Sequence, residues 1–389
     1  MSNQRITNLD FIRGISVLGI LVMNSIMFFL PDAAYWNHSS IGADHAIDWI
    51  LVVFSEVFIA EKMMGLFSLL FGASVVLFIE SARNRNHGRP RWLSFWRNLL
   101  LLGFGLLHLQ LWHGDILLVY AIAAVFVILL HNRSFKLLIS LSGLLFLVPI
   151  LASFLFQGAF DAQGNLTEGF KESFPDISGG LGGYWFSNVN EMGDLAGIFV
   201  VLDGFCRALS LMLIGVVLYR SSVLQGNLDS RVYKKMAGIG LLVGLPLSIA
   251  SIVWLIAEDY KPDIALIGFV PGALGVIPLV LAYVGLLSLW NKSISSKLAV
   301  YIRACGRMAF TNYITQTILG VVLFGLIFEK GDLSRKEIIL FVLFVWVIQL
   351  LWSKHWLDRF KYGPLEWVWR KLTYVQISKL SETSDKSSG

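Results

Sequence analysis

The chain has 389 residues, of which 56% are hydrophobic and 15% charged, and its mean hydropathy is +0.70. Soluble domains carry about 25% charged residues and about 45–50% apolar ones, so the composition excludes an ordinary soluble domain and predicts an all-α integral membrane protein. The formal net charge of +5 does not indicate a nucleic-acid partner, because basic residues also orient transmembrane helices from the cytoplasmic side.

Ten apolar segments are long enough to cross the hydrocarbon core of a bilayer as helices. Along the chain, loops rich in Lys and Arg alternate with loops that are acidic or lack basic residues, which predicts that both termini lie in the cytoplasm. The predicted spans are residues 14–30, 62–81, 97–112, 115–131, 136–157, 195–219, 236–257, 264–289, 308–328 and 337–353.

One apolar segment, residues 47–60, is too short for this alternation, and counting it as a span would invert every later loop. We interpret it as an interfacial or re-entrant helix on the outer side. The acidic outer loop 158–194 is predicted to be an exposed lid. Residues 1–375 are predicted to form a single membrane domain, followed by a disordered cytoplasmic tail at 376–389.

The stretch "LLHLQLWHGDILLVYA" (106–121) places His108 about one helical turn inside the membrane from a tight outer turn. His108 is either a neutral imidazole bonded to a neighbouring helix or a general base, since imidazole titrates near neutral pH. Asp115 can orient His108 through Nδ1, cap the next helix, or do both with one oxygen each. His113, in the turn itself, is interpreted as a solvated loop histidine.

Other ionisable or polar groups near the predicted spans also need partners or an aqueous cavity. Asn24 either donates to a carbonyl oxygen, as in an oxyanion hole, or bonds across helices. Glu61 and Lys62 are expected to neutralise each other. Four arginines at the inner boundary determine topology, and some of them are also candidates for a phosphate site; they are Arg13, Arg97, Arg303 and Arg307.

The segment "KYGPLEWVWRKLTY" (361–374) is predicted to lie at the inner interface, with Trp367 and Trp369 in the headgroup layer. The carboxylate of Glu366 is expected to pair with an arginine of segment 303–307. The two cysteines lie in or beside apolar segments, so neither a disulfide nor a metal site is expected. No Walker A, Rossmann glycine, H-E-x-x-H or G-x-S-x-G pattern occurs.

Six blocks of the sequence resemble the YeiB family of bacterial membrane proteins, in the same order and over almost the whole chain. They are "LDFIRGISVLGILVMN" (9–24), "KMMGLFSLLFGAS" (62–74), "GLLHLQLWHGDILLVYA" (105–121), "LMLIGVVLYR" (211–220), "CGRMAFTNYITQTIL" (305–319) and "WSKHWLDRFKYGPLEWVWRKLTY" (352–374). One departure is Met63, where the family commonly has Phe. The resemblance implies a multi-pass protein of the bacterial inner membrane.

The YeiB family is in turn similar to transmembrane acyltransferases, including sugar O-acetyltransferases and the lysosomal heparan-glucosaminide N-acetyltransferase. The shared signature is Arg13-Gly14 at the start of the first span and a polar residue, here Asn24, near its outer end. Many O-acyltransferases have His where this chain has Asn24. The lysosomal enzyme has Asn there and places its catalytic histidine in the adjoining luminal segment, where this sequence offers His38 and His45.

This resemblance implies acyl transfer across the bilayer. Acyl-CoA, with acetyl-CoA as the first candidate, would dock its nucleotide on the cytoplasmic arginines while its pantetheine arm threads between helices. His108, oriented by Asp115, would deprotonate an extracytoplasmic or lipid-linked hydroxyl or amine, and Asn24 or Lys62 would stabilise the oxyanion. No metal takes part in this scheme.

Two alternatives from other classes stay open. Ten spans with cavity-facing charges also suit a small-solute transporter, although no inverted repeat is evident in the sequence. The Asn24 departure suits a non-catalytic relative that keeps the fold without the chemistry. The expected partners are membrane lipids, acyl-CoA and an outer-face acceptor, and a homodimer is compatible with all three readings.

Overall fold

A computed structural model of the chain describes residues 6–31, 33–85, 88–155, 195–293 and 297–386. Within these ranges every regular element is a helix, which confirms the predicted all-α class. The predicted lid at 158–194 lies outside the described residues.

The described helices fall in an order that matches the hydropathy pattern, and each of the ten predicted spans overlaps one of them. The helix α14 continues into the segment that was predicted to be a disordered tail. The helices are α1 (Thr7–Phe29), α2 (Ala33–Trp36), α3 (Ala46–Phe58), α4 (Lys62–Asn84), α5 (Pro90–Leu109), α6 (Leu117–Leu130), α7 (Phe135–Ser153), α8 (Leu195–Arg220), α9 (Ser230–Ala257), α10 (Val270–Ser293), α11 (Lys297–Arg307), α12 (Ala309–Leu326), α13 (Arg335–Arg359) and α14 (Pro364–Lys386).

Seven helical segments among the described residues are long and apolar enough to cross a membrane. Many large apolar side chains on them point outward, such as Leu242 (75% exposed), Leu144 (63%) and Leu340 (63%). Apolar surface on this scale is typical of a lipid-facing protein. The seven segments are Thr7–Phe29, Ala46–Asn84, Phe135–Ser153, Leu202–Arg220, Ser230–Ala257, Ile267–Ser293 and Arg335–Arg359.

Residues 46–84 are apolar almost throughout, yet they form two helices instead of one. The break lies at Glu61, whose backbone is left-handed with φ of 57°. This conformation costs a non-glycine residue roughly 1–2 kcal/mol and cannot continue a right-handed helix. The separation of a short helix at 47–60 from the following span is therefore confirmed, and Lys62 becomes the first residue of α4.

Helix α1 runs through the centre of the bundle and packs against α4, α11, α12 and α13. A Cβ atom added to Gly14 would lie 2.1 Å from the carbonyl oxygen of Ile302, and one added to Gly306 would lie 1.9 Å from that of Asp10. Small residues permit such close backbone approach between helices in a membrane. The Arg13-Gly14 signature therefore has a packing reason as well as any chemical one.

The apolar core consists of two clusters on either side of α1. One is built mainly from α4, α6, α8 and α10, and the other from α1, α12 and α13 with the turn before α6. Both cysteines, Cys206 and Cys305, are buried and free, as expected. Within this bundle, ionisable side chains form two separate histidine centres and one cluster of arginines.

Candidate functional site

The first histidine centre forms where the segment after α1 meets the end of α3 and the connection from α9 to α10. His38 is buried there, with 3% of its surface exposed. Its Nδ1 lies 2.9 Å from the hydroxyl of Tyr260, and its Nε2 lies 3.2 Å from Oε1 of Glu56. Both ring nitrogens are therefore held by side chains from other elements.

The hydrogen bonds assign the protons of this centre. Burial raises the pKa of Tyr260, and the negative charge of Glu56 adds to the shift, so the phenol keeps its proton; with a neutral imidazole protonated at Nε2, it donates a hydrogen bond to Nδ1 of His38. The Nε2–H of His38 then donates to the carboxylate of Glu56. A carboxylate behind an imidazole stabilises the imidazolium, which prepares Nδ1 to accept a proton.

Glu56 borders a small open cavity of about 20 Å³, whose lining includes neither His38 nor Tyr260. One water molecule needs about 10–15 Å³ of such volume, so the cavity has room for about one water in this structure. Its wall combines charged groups, hydroxyl groups and one aromatic ring, with the remainder apolar. The polar and aromatic lining residues are Glu56, Glu61, Lys62, Ser248, Ser251 and Phe269.

The expected pairing of Glu61 with Lys62 is wrong. Lys62 donates from Nζ to the backbone carbonyl of Glu56 at 2.5 Å, whereas Oε2 of Glu61 accepts from Arg207 at 2.7 Å, and Arg207 also binds Asp203 at 2.7 Å. Adjacent residues at the start of a helix do not face each other. Arg207, from α8, therefore lies at this cluster.

Backbone strain is concentrated at the same place. Among the described residues, four non-glycine residues have a positive φ, and three of them are Glu61 (57°), Asp259 (52°) and Tyr260 (50°). Such conformations cost about 1–3 kcal/mol each and persist where the surroundings enforce them, often at functional sites. The strain thus falls on the residues that position the cavity and the phenol beside His38.

The second histidine centre joins α5 to α6. Nδ1 of His108 lies 2.7 Å from Oδ1 of Asp115, and Oδ2 of Asp115 accepts from the backbone N–H of Leu118 at 2.9 Å. The two predicted roles of Asp115, orientation and capping, are therefore both confirmed, with one oxygen serving each. His108 is 2% exposed, and its Nε2 has no hydrogen-bond partner among the described residues.

The predicted catalytic set is divided between these places. Lys62 borders the cavity, but neither His108 nor Asp115 contributes to its lining. Instead, His108 packs against the ring of Tyr313, with centroids 5.2 Å apart. Asn24 is half-buried on α1, with no side-chain hydrogen bond in the part of the chain that the structure describes.

Two of the four predicted binding arginines come together. Arg13 donates to the hydroxyl of Ser74 at 2.8 Å and lies 3.5 Å from the carboxylate of Asp10. Arg97, from α5, is near enough to Arg13 for the two charges to interact.

The other two binding arginines have their own partners around α11. Arg303 donates to Oδ1 of Asn291 at 2.7 Å, and Arg307 donates to the carbonyl of Lys361 at 3.1 Å. Arg303 thus ties α11 to the end of α10. These contacts give both residues a structural role.

The expected pairing of Glu366 with an arginine of 303–307 is also wrong. Its Oε1 accepts from the backbone N–H groups of Phe310 and Thr311 at 2.9 and 3.1 Å, and its Oε2 accepts from the Thr311 hydroxyl at 2.5 Å. The first N–H groups of a helix lack partners and attract anions, so Glu366 caps α12. Burial raises the pKa of Glu366, and these hydrogen bonds oppose the shift.

Sequence reasoning missed the partners of His38. The only signal for it was a histidine in the segment after the first span, and nothing in the local pattern pointed to Glu56 or Tyr260. His38 and Tyr260 are 222 residues apart, so their contact depends on how the helix ends pack.

Comparison with known proteins places the chain among relatives of similar length. Residues 218–376 match the family model described as "Protein of unknown function (DUF418)". The protein named "Uncharacterized protein YeiB" of Escherichia coli (strain K12) is 31% identical over 385 residues, which is 95% of this chain and 96% of the relative. "Uncharacterized protein YxaH" of Bacillus subtilis (strain 168) is 28% identical over 418 residues, covering 98% and 97%.

Proposed function

The chain belongs to the YeiB family, and for this member we propose acyl transfer from a cytoplasmic acyl-CoA to a hydroxyl or amine acceptor at the cavity lined by Glu56 and Lys62. The observation that carries the proposal is the placement of His38 between a phenol and the carboxylate of Glu56, a residue that lines a polar cavity. The resemblance of the first span to transmembrane acyltransferases supports the same chemistry.

We assign the base to His38 in preference to His108, because a base must lie within reach of a bound acceptor. Glu56 joins His38 to the cavity, whereas the His108 side chain is enclosed by aromatic rings. The arrangement at His38 also resembles the positioned carboxylate, imidazole and hydroxyl of other acyl-transfer enzymes, which are recognised by geometry and not by sequence position.

In the proposed reaction the acceptor oxygen or nitrogen attacks the acyl carbonyl carbon and forms the new bond. Its proton passes to the phenol oxygen of Tyr260 as Tyr260 passes its own proton to Nδ1 of His38. Glu56 stabilises the resulting imidazolium. The carbon–sulfur bond to CoA then breaks, and the leaving thiolate takes a proton from the hydroxyl of Tyr260, which regains one from Nδ1 of His38.

Lys62 is the group proposed to stabilise the tetrahedral oxyanion. An ammonium has three donors, and the bond to the carbonyl of Glu56 uses one of them. A fixed cation aimed at a developing negative charge is usually worth several kcal/mol in a water-poor site. Asn24 contacts neither histidine, so we assign it no chemical role.

The proposed donor must reach the cavity from the far end of the bundle. Arg13 and Phe29 are 16 residues apart on α1, which is about 24 Å at 1.5 Å per residue. We propose that the chain spans the bacterial inner membrane ten times with both termini in the cytoplasm, which puts Arg13 at the inner end and His38 at the outer end.

The test compares the two histidine centres in one assay. Purified full-length protein in liposomes is given labelled acetyl-CoA and a bacterial membrane extract, and transfer of the label to the extract is measured. We expect His38→Gln to lower the rate by about 10²-fold or more, since general-base catalysis contributes about 10²–10⁴-fold. The matched variant His108→Gln should retain the rate per folded molecule.

Full activity of His38→Gln would refute the assignment of the base. A loss confined to His108→Gln would return that role to the second centre. No transfer by the native protein, with acetyl-CoA bound, would refute acyl transfer to any acceptor in the extract.

A further inference from the structure

At the end of the bundle opposite His38, we propose a phosphate-binding site formed by Arg13, Arg97 and Arg370, which we call the basic triad. The presence of the site does not depend on acyl transfer. Only the identity of its ligand rests on the proposed function, because the nucleotide phosphates of an acyl-CoA and the headgroup of an anionic phospholipid share the same chemistry.

Arg97 is held by aromatic rings and not by hydrogen bonds from its guanidinium. Its Cζ lies 4.5 Å from the ring centroid of Phe78 and 4.1 Å from that of Trp369. Such cation–π contacts fix the guanidinium and leave its N–H donors at the edge. Among the described residues these donors have no hydrogen-bond partner, and the side chain is only half-buried.

Arg370 is placed in the same way. Its Cζ lies 5.0 Å from the ring centroid of Tyr362 and 4.9 Å from that of Tyr374. It makes no hydrogen bond from its guanidinium to any part of the chain that the structure describes. Two arginines with stacked faces and unused donors therefore lie at one end of the bundle.

Two indoles fasten α14, which carries Arg370, to α5, which carries Arg97. The Nε1–H of Trp369 donates to the carbonyl of Arg97 at 2.8 Å, and that of Trp96 donates to the carbonyl of Leu372 at 3.3 Å. The ring of Trp369, which is predicted to lie in the lipid headgroup layer, packs against Arg97. Trp367 is 52% exposed, which fits the predicted interfacial position.

The charges around Arg97 are unbalanced. The groups that act on it electrostatically from neighbouring helices are the cations Arg13 and Arg370 and the phenol of Tyr374, with no carboxylate among them. Asp10 is the acid found nearby, 3.5 Å from Arg13. Three cations against one carboxylate leave a positive site, and a bound anion would offset the mutual repulsion.

Phosphate is the anion that fits this geometry. A guanidinium presents a planar fork of donors that matches the oxygens of a phosphate in a bidentate way, and arginine is preferred where such recognition matters. Stacked guanidinium groups are already oriented, so little side-chain freedom is lost on binding. The ammonium group of a lysine is a compact point charge and would not give this selectivity for phosphate.

The experiment measures two probes on the full-length protein. Coenzyme A is titrated by calorimetry into protein held in phosphatidylcholine nanodiscs. Retention of phosphatidylglycerol from equimolar mixed-lipid nanodiscs is followed by native mass spectrometry. The variants are Arg97→Gln and Arg370→Gln, and the control is Arg359→Gln, which removes an exposed cation of α13.

We expect Arg97→Gln and Arg370→Gln each to weaken binding of one probe by about tenfold or more, as loss of a charged hydrogen bond does, and Arg359→Gln to leave it unchanged. A loss for coenzyme A identifies the site as the donor site. A loss for phosphatidylglycerol alone identifies a lipid site, which leaves the phosphate site in place while removing the donor role. Equal binding of both probes by native protein and triad variants, or binding of neither probe, would overturn the inference.

If Arg97→Gln fails to fold, Arg97→Lys is used instead. It keeps the positive charge and removes the planar fork of guanidinium donors, because lysine cannot bind phosphate in a bidentate way. The outcome of the transfer assay with the His38 variant does not depend on this binding result. A chain that binds coenzyme A through the triad but transfers no label keeps the phosphate site and loses the acyl-transfer proposal.

Discussion

The two histidine centres share their chemistry and differ in their surroundings. In each, one imidazole nitrogen lies near a carboxylate oxygen, at 3.2 Å for His38 with Glu56 and 2.7 Å for His108 with Asp115. In the first pair Glu56 borders a cavity, and the other ring nitrogen of His38 lies beside the phenol of Tyr260. The second pair is enclosed, and its carboxylate is also occupied by a helix cap. A buried His–carboxylate pair therefore indicates catalysis only where a substrate can reach it.

Backbone geometry separates the two centres as well. The connection that carries Tyr260 contains consecutive left-handed residues, whereas the turn between His108 and Leu118 contains no residue with positive φ. A relaxed turn with a capping carboxylate is what a structural link between two helices requires. In the strained connection, Tyr260 has a left-handed backbone conformation that is locally unfavourable. Strained residues of this kind are often found at functional sites.

The largest expected effect is on catalysis at the first centre. Glu56→Gln keeps the shape of the side chain and an acceptor for the Nε2–H of His38, but it removes the charge that stabilises the imidazolium. We expect the transfer rate to fall by about 10²-fold or more, with a small change in the unfolding temperature measured in detergent. Transfer at the native rate would mean that the pair at His38 is as structural as the pair at His108.

A large effect on stability is expected at the second centre. Asp115→Ala leaves Nδ1 of His108 without a partner and removes the acceptor for Leu118, so the free energy of unfolding should fall by about 2–4 kcal/mol. Asp115→Asn keeps one acceptor oxygen and replaces the other with an NH₂ donor, so it should lose less than Asp115→Ala does. The measurement is unfolding in mixed detergent at constant lipid content.

For the same two variants, the transfer rate per folded molecule separates the roles. We expect it to stay at the native level in both. A drop in rate without a drop in stability for Asp115→Asn would show that the second centre takes part in the chemistry.

The smallest expected effect tests the strain. At Asp259 the backbone φ is 52°, which glycine adopts without strain. Asp259→Gly should therefore raise the free energy of unfolding by about 0.5–1 kcal/mol. Asp263→Gly, an exposed substitution in the same connection where φ is not positive, should lower it by a similar amount through the entropy of the unfolded chain. Two changes of the same sign would mean that the connection is not strained at Asp259.

Features that depend on neighbours along the chain were predictable. Hydropathy located the helices, since about 20 apolar residues must be helical to cross a bilayer. The contact of His108 with Asp115 was also predictable, because seven residues and one tight turn separate them. Local spacing failed for Glu61 and Glu366, whose actual partners come from distant elements.

The sequence by itself determined the class of molecule, an all-α membrane protein whose helices follow from the length of its apolar segments. It also determined one contact between a histidine and a carboxylate, because His108 and Asp115 are separated by one short turn. The tertiary structure alone decided which polar groups meet. Glu61 pairs with Arg207, 146 residues away in the sequence, and His38 contacts Tyr260, 222 residues away. The reason is physical: in an apolar bundle a polar group must find a partner wherever helix packing brings one, and that packing depends on shape complementarity that no local pattern records.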